Sequence, residues 1–292
     1  MISIAMATYN GEKYIQRQLE TIWEQSLPAD EIIICDDGSK DQTVEIIKKF
    51  IEEKQTDRIF VIKNEENLGY VKNFYKAISL TKGEYIFLAD QDDEWHPNKI
   101  ERTLQVLKDE KATVVCTNCC LIDSESRAIL NDSCFDRTPF INRVSQTVSP
   151  ISFFELVIDN IAQGCTYCFT QEVKNAYLRV NSNHLIHDHQ IMFVAALLGK
   201  ACFLNEALID YRLHGNNVVG FGSAEDAKKI HWKIPKLKPV MVRFLEDLND
   251  AIKVPHLHFY KMLYHFRIPY FISVYRKRYW KKSSISVKEN KS

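Results

Sequence analysis

Three carboxylates, Asp90, Asp92 and Asp93, fall within four residues directly after the apolar run Tyr85–Ala89. Like charges at this spacing raise one another's pKa unless something positive sits among them. A hard divalent cation is the natural partner. Magnesium binds through one or two carboxylates together with substrate phosphates, and manganese accepts the same oxygen ligands. The plainer alternative is a solvated acidic turn in which Asp93 helps to cap a helix starting near Pro97. Position after a core strand favours the cation.

A second pair, Asp36 and Asp37, follows the apolar run 32–35 and opens Asp36-Asp37-Gly38-Ser39-Lys40-Asp41. Asp-Gly-Ser is also ordinary turn chemistry, and either carboxylate could cap the next helix. Beside Thr8-Tyr9-Asn10-Gly11, which follows the run 2–7, the pair could accept hydrogen bonds from a base N–H or ribose hydroxyls. No GxGxxG turn and no GxxxxGK loop occurs, which argues against Rossmann dehydrogenases, methyltransferases and P-loop enzymes. A bound nucleotide must then be held by carboxylates and a metal.

The elements that position these residues follow from hydrophobic periodicity. Strands are expected over 2–7, 31–35, 59–63, 84–89 and 112–118, and helices over 12–25, 41–54, 70–80 and 97–109. This alternation predicts an α/β fold of parallel βαβ units with helices on both faces of the sheet. Ligands then bind at the carboxyl ends of the strands, where both acidic clusters fall.

The chain has 292 residues, 46% of them hydrophobic and 26% charged, which excludes collagen-like, low-complexity and disordered classes. Its 8 cysteines lie mostly inside apolar runs. They read as reduced, buried, small hydrophobes rather than a disulfide framework, and the pairs Cys116/Cys119 and Cys165/Cys168 lack the turns of a zinc knuckle. The opening run reads as a first strand and not a signal peptide, and no stretch is long enough for a membrane span. The net charge of zero hides an asymmetry. Residues 223–292 carry 16 Lys and Arg against 6 Asp and Glu, a balance of +10 that leaves −10 in residues 1–222. The tail also holds 11 aromatics, including Tyr275 through Lys282. Basic residues beside Tyr and Trp suit an anionic membrane surface, with nucleic acid and simple packing on the body as the alternatives.

Met6-Ala7-Thr8-Tyr9-Asn10-Gly11, Ile34 through Thr43, Asn67-Leu68-Gly69 and Leu88 through Trp95 occur in the order seen in the family-2 glycosyltransferases. The resemblance implies a GT-A fold, a Rossmann-like nucleotide-diphospho-sugar transferase domain, over residues 1–222, followed by a mainly helical basic region over 223–292. It places Thr8, Tyr9, Asn10, Asp36, Asp37, Asn67, Gly69, Asp90, Gln91, Asp92 and Arg212 on the nucleotide-sugar. It assigns a magnesium or manganese ion to Asp92, Asp93 and His214, and the acceptor side to Gly164, Cys165 and Trp95. Within His187-Asp188-His189-Gln190, Asp188 corresponds to the general base, with His187 and His189 supporting it or packing beside it rather than acting as ligands. Tyr211-Arg212-Leu213-His214 resembles the rhamnosyltransferase-like branch.

The implied reaction is inverting transfer, with dTDP-rhamnose the favoured donor and a UDP-sugar the alternative. The acceptor would be a lipid-linked or polysaccharide hydroxyl. The chain is expected in the cytoplasm, on the inner face of the cell membrane, without a nucleic-acid partner. Two rivals are a noncatalytic nucleotide-sugar-binding protein, which would be expected to lose carboxylates, and a nucleotidyl transferase, which usually starts with a glycine-rich basic loop. Asp92, Asp93 and Asp188 are all retained, and residues 8–13 supply no such loop.

Overall fold

The computed structural model describes residues 1–129, 146–158, 160–214 and 238–265. The first half alternates as the periodicity predicts: β1 (Ile2–Thr8), α1 (Ile15–Trp23), β2 (Glu31–Asp36), α2 (Thr43–Lys54), β3 (Ile59–Lys63), α3 (Tyr70–Leu80) and β4 (Tyr85–Ala89). The two-residue strand β5 (Glu94–Trp95), α4 (Lys99–Asp109) and β6 (Ala112–Ile122) follow. β1 and β2 are covered on both faces, so they read as continuous apolar runs rather than alternating ones. α1 instead buries Ile15, Gln18, Leu19 and Ile22, the stripe of a helix lying on a sheet. α2 ends where Gln55 turns left-handed at φ 48°.

The second half departs from the parallel expectation. It contains β7 (Val148–Ile151), α5 (Phe153–Ile158), a 3-10 turn at Gly164–Thr166, β8 (Tyr167–Thr170), α6 (Gln171–Val180), α7 (His187–Leu198) and β9 (Lys200–Arg212). β1, β2, β3 and β4 pair in parallel, but β8 runs antiparallel between β4 and β6. The sheet order is β3-β2-β1-β4-β8-β6-β9-β5, with β7 on β9. Only four residues long, β8 is too short for its direction to be read from periodicity. β9 is parallel to β6, and its end places Arg212 opposite Ile122, beside the β4–β5 loop. The result is a mixed α/β sheet of the GT-A kind.

The cysteines at positions 35, 116, 119, 165, 168 and 202 are buried and free, Cys120 is half-buried and free, and Cys134 lies outside the described residues. The described part of the basic region is helical, as α8 (Lys238–Ala251) and α9 (Leu257–His265). It packs on the body. Phe244 meets Phe193 at 5.3 Å, Tyr260 meets Phe153 at 5.0 Å, and Ser182 donates to Asp247 at 2.6 Å. The expectations for residues 274–292, and for residues 215–220 at the end of the matched motifs, fall outside the described residues. No helix among the described residues is long and apolar enough to cross a membrane.

Gly83 sits where α3 hands the chain to β4, and its N–H donates to Ser3 Oγ at 2.7 Å. A Cβ there would lie 2.4 Å from Ser3 Oγ and 2.8 Å from the Ser3 nitrogen. The backbone cannot give way, so Gly83→Ala is expected to destabilise by about 1–3 kcal/mol, read as a lower urea midpoint at unchanged slope.

Candidate active site

The ends of β1 and β2 build the first wall. Asp36 accepts from Thr8 Oγ1 at 3.1 Å, from the Gly38 and Ser39 N–H groups at 3.2 and 2.9 Å, and from Ser39 Oγ at 2.5 Å. A carboxylate has about four acceptor positions, so Asp36 is spent on its own turn. This corrects the expectation of a nucleotide contact: Asp36 organises the loop and, with it, the equally buried Thr8. Asp37 differs. It accepts from Asn64 Nδ2 and the Leu68 and Gly69 N–H groups, each at 2.8 Å, which leaves one position on Oδ2 for a base N–H. Gly69 needs φ 77° to present that N–H, and Asn67 Nδ2 reaches the Asp37 carbonyl at 3.0 Å.

Tyr9 is 47% exposed, leaving its ring available for stacking. Gln91 holds its backbone from both sides, accepting from Tyr9 N at 2.8 Å and donating to Tyr9 O at 3.1 Å. Gln91 is thus a clamp on the loop. Asn10, left-handed at φ 49°, accepts from Lys40 N at 2.9 Å and ties the same loop to β2.

The acidic loop divides in two. Asp92 Oδ2 lies 2.7 Å from His214 Nε2. Asp93 turns inward instead, with Oδ1 accepting from Arg212 N at 3.0 Å and Oδ2 lacking a hydrogen-bond partner among the described residues. Its candidate ligand atoms cluster with those of Asp90 and Cys165, all within 4.8 Å of one another. The three expected ligands thus fall in two places, Asp92 with His214 and Asp93 with Asp90 and Cys165. The carboxylate oxygen of Asp92 is a donor that suits a magnesium or manganese ion, and the imidazole nitrogen beside it favours manganese over the strictly oxygen-seeking magnesium.

Burial first, then Asp92 and Asp90, raise the carboxyl of Asp93 well above its ordinary range. Burial, with Asp92 and Asp188 adding to it, takes Asp90 to about 7. Lys99 is the positive charge within reach. Its ammonium donates to the Cys165 carbonyl at 2.5 Å and lies 3.8 Å from the Trp95 ring centroid, while burial lowers its pKa to about 8. Trp95 at 3% exposure and Cys165 at 0% belong to this interior, which removes both from the expected acceptor side.

Arg212 also departs from expectation. At 2% exposure it donates through Nε to the Asp92 carbonyl at 2.6 Å, through Nη1 to the Asp123 carbonyl and Ser126 Oγ at 3.0 Å each, and through Nη2 to Glu94 at 2.6 Å. The guanidinium fastens the loops instead of facing a diphosphate.

Asp188 lies in the first turn of α7, 7% exposed. Its Oδ1 accepts from His189 N at 2.6 Å and Asn160 Nδ2 at 3.2 Å, and Gly164 N–H also favours the charged form. Burial outweighs these donors and lifts the pKa to about 6, where a general base is most useful. Gly164 lets its turn pack closely on α7, since a Cβ there would sit 3.3 Å from Asp188 Cβ and 3.0 Å from His187 Nε2. His187 stacks on Phe74 at 4.1 Å and His189 on Phe193 at 4.8 Å, and His189 Nε2 lies 2.9 Å from the Leu156 carbonyl. Sequence reasoning missed Asn160, Lys99 and Tyr14, because their partners lie far away along the chain.

The fastening role of Arg212 has a measurable consequence. Arg212→Ala removes the guanidinium's ties to Asp92, Asp123, Ser126 and Glu94, leaves Glu94 with Arg17 and Ser126, and is expected to cost about 1.5–3 kcal/mol in urea unfolding with no ligand present. A residue serving only a diphosphate would leave ligand-free stability unchanged.

Comparison with known proteins places this geometry. The profile described as Glycosyl transferase family 2 matches residues 3–169. A dTDP-rhamnosyl transferase, RfbG of Shigella flexneri, is 29% identical over 235 residues, 76% of this chain and 76% of the relative. The matched share of the curated relatives' own length runs from 90% down to 21%, and is 66% for a glycosyltransferase of Nostoc. Among solved structures, S. aureus TarS 1-349 in complex with UDP-GlcNAc superposes with TM-score 0.61 at 17% identity, covering 91% of this chain and 72% of that one. A mannosyltransferase from Pyrobaculum calidifontis, in complex with GDP-Man and Mn2+, gives TM-score 0.57 at 15% identity and covers 100% of this chain and 88% of that one. With its profile match spanning more than half of the sequence and its strand ends carrying the ordered acidic motifs, the chain belongs to glycosyl transferase family 2 and is a glycosyltransferase.

Proposed function

We propose that this chain transfers a sugar, with inversion, from a nucleotide-sugar to a hydroxyl of a growing polysaccharide, with dTDP-rhamnose as donor and a lipid-linked acceptor. One observation carries the reading. A Cβ on Gly164 would lie 3.3 Å from Asp188 Cβ and 3.5 Å from Leu88 Cδ1, so the buried Asp188 stands beside β4, the strand that leads into the loop where Asp92 meets His214. In this reading Asp188 is the base and the Asp92–His214 pair anchors the diphosphate.

In this reading Asp37 and the Tyr9 ring hold the nucleoside, and Gln91 keeps Tyr9 in place. Asp188 accepts the proton of the acceptor hydroxyl while the hydroxyl oxygen forms its bond to the anomeric carbon. The anomeric carbon–oxygen bond breaks at the same time, and its electron pair departs with the nucleoside diphosphate. A magnesium or manganese ion held by Asp92 and His214 would supply neutralisation of that leaving group. A β-linked rhamnosyl donor gives an α-rhamnoside. RfbG supports the rhamnosyl donor, and a turnover screen of dTDP-rhamnose against UDP-hexoses tests it. Faster turnover of a UDP-hexose would replace the donor assignment.

The base assignment predicts a pH profile. Because Asp188 must be ionised to accept a proton, transfer should fall about tenfold per pH unit below about 6. Asp188→Asn should lower transfer by about a hundredfold or more and abolish that limb, while calorimetry shows nucleotide binding intact. Near-normal transfer by the amide would assign the base elsewhere.

Peripheral attachment to an anionic membrane is the second part of the reading. It is favoured by Phe259 and Met262, which stand 47% and 41% exposed on α9, just before the basic and aromatic residues 266–292. Each basic residue near such a surface contributes about 1 kcal/mol, so deleting residues 274–292 should reduce co-sedimentation with phosphatidylserine vesicles. Added salt should reproduce only part of the loss. Undiminished sedimentation of the shortened chain would make the tail a packing element.

A further inference from the structure

Tyr14 sits one turn beyond the Thr8–Gly11 motif, at the N-terminal boundary of α1, where its N–H donates to the Gly11 carbonyl at 3.0 Å and its carbonyl accepts from Gln18 N at 3.1 Å. These bonds fix the backbone from which the ring projects. The ring is stacked against the His214 imidazole, with centroids 5.1 Å apart and planes 29° from parallel. The guanidinium of Arg212 lies 4.7 Å from the centroid of the same ring. Arg212 is itself fastened to Asp92, Asp123, Ser126 and Glu94.

His214 lies past the end of β9, one residue beyond the bond from Leu213 N to the Ile122 carbonyl at 2.8 Å. Strand pairing therefore does not orient its side chain. An imidazole directs a ring nitrogen usefully only when the plane of the ring is set, and metal-ligating imidazoles are tuned by the groups that set it. Here the Tyr14 face fixes the plane in which Nε2 points at Asp92 Oδ2, 2.7 Å away.

We propose that Tyr14 is a positioning residue for the divalent cation: it touches neither substrate nor metal, and acts by holding His214 in register with Asp92. The inference rests on the reading of Asp92 and His214 as the metal pair. It also explains why an aromatic from the first helix leans on the far end of the last strand of the sheet.

The test is a titration of the full chain with Mn2+ in saturating dTDP, reading free Mn2+ by electron paramagnetic resonance. Tyr14→Ala should weaken Mn2+ binding about tenfold, the lower range for loss of a group that orients a ligand. Tyr14→Phe, which keeps the ring face, should stay within about twofold of the parent. Tyr14→Leu fills the volume without a flat face and should behave as Tyr14→Ala does, which covers the case in which alanine unfolds the chain. In a His214→Ala background, Tyr14→Leu should add nothing, because its effect passes through the imidazole. Parental affinity in Tyr14→Leu, or an equal further loss without His214, overturns the proposal. A parent chain that binds dTDP but not Mn2+ overturns the metal pair itself and the proposal with it.

Discussion

The buried guanidinium of Arg212 is the interaction on which the arrangement of the site depends. It leaves the end of β9 and gathers the carbonyls of Asp92 and Asp123, the hydroxyl of Ser126 and the carboxylate of Glu94, while the backbone N–H of Arg212 holds Asp93. Arginine suits this place because its fork of donors is rigid and remains charged when desolvated. Glu94 also accepts from Arg17 of α1 at 2.9 Å, so the fastening extends to the helix that carries Tyr14. Strand, loop and helix are thereby locked around one charge.

A second constraint is the amount of negative charge placed at one sheet edge. Asp90, Asp92, Asp93 and Asp188 interact, and the fold handles them differently. Asp93 is withdrawn into the interior near Lys99, whose ammonium is also steadied by the Trp95 ring. Asp188 is given an N-terminal helix turn and hydrogen-bond donors, which favour its ionised form, and also burial, which opposes it. The balance near pH 6 leaves the carboxylate ionised at neutral pH yet basic enough to take a proton.

Much of this was legible in the sequence, and the reason is positional. Parallel strands buried on both faces appear as apolar runs, so residues after β1, β2 and β4 could be marked as a ligand edge without coordinates. The pairing of those strand ends, and the retained Asp188, followed. What sequence could not show was the direction of a side chain. Asp36 and Asp37 are adjacent and identical in type, yet one has its acceptor positions filled by its own turn and the other keeps one open. Trp95 and Cys165 stand in the expected motifs but face the core. Arg212 looked like a phosphate ligand because its charge was visible and its partners, on the β4–β5 loop and beyond β6, were not.

The mixed second half of the sheet has a purpose that the parallel half cannot serve. Strands β1 to β4 all deliver their ends to the same edge, where Thr8, Asp36 and Asp90 stand. β8, reversed against β4, carries the chain into α6 and then α7, whose first turn bears Asp188. β9 then runs parallel to β6 and returns to the edge, bringing Arg212 and His214 to the acidic loop. Asp188 and His214 thus reach the edge set by β1 to β4 from the second half of the chain, after one short antiparallel strand changes the direction of travel.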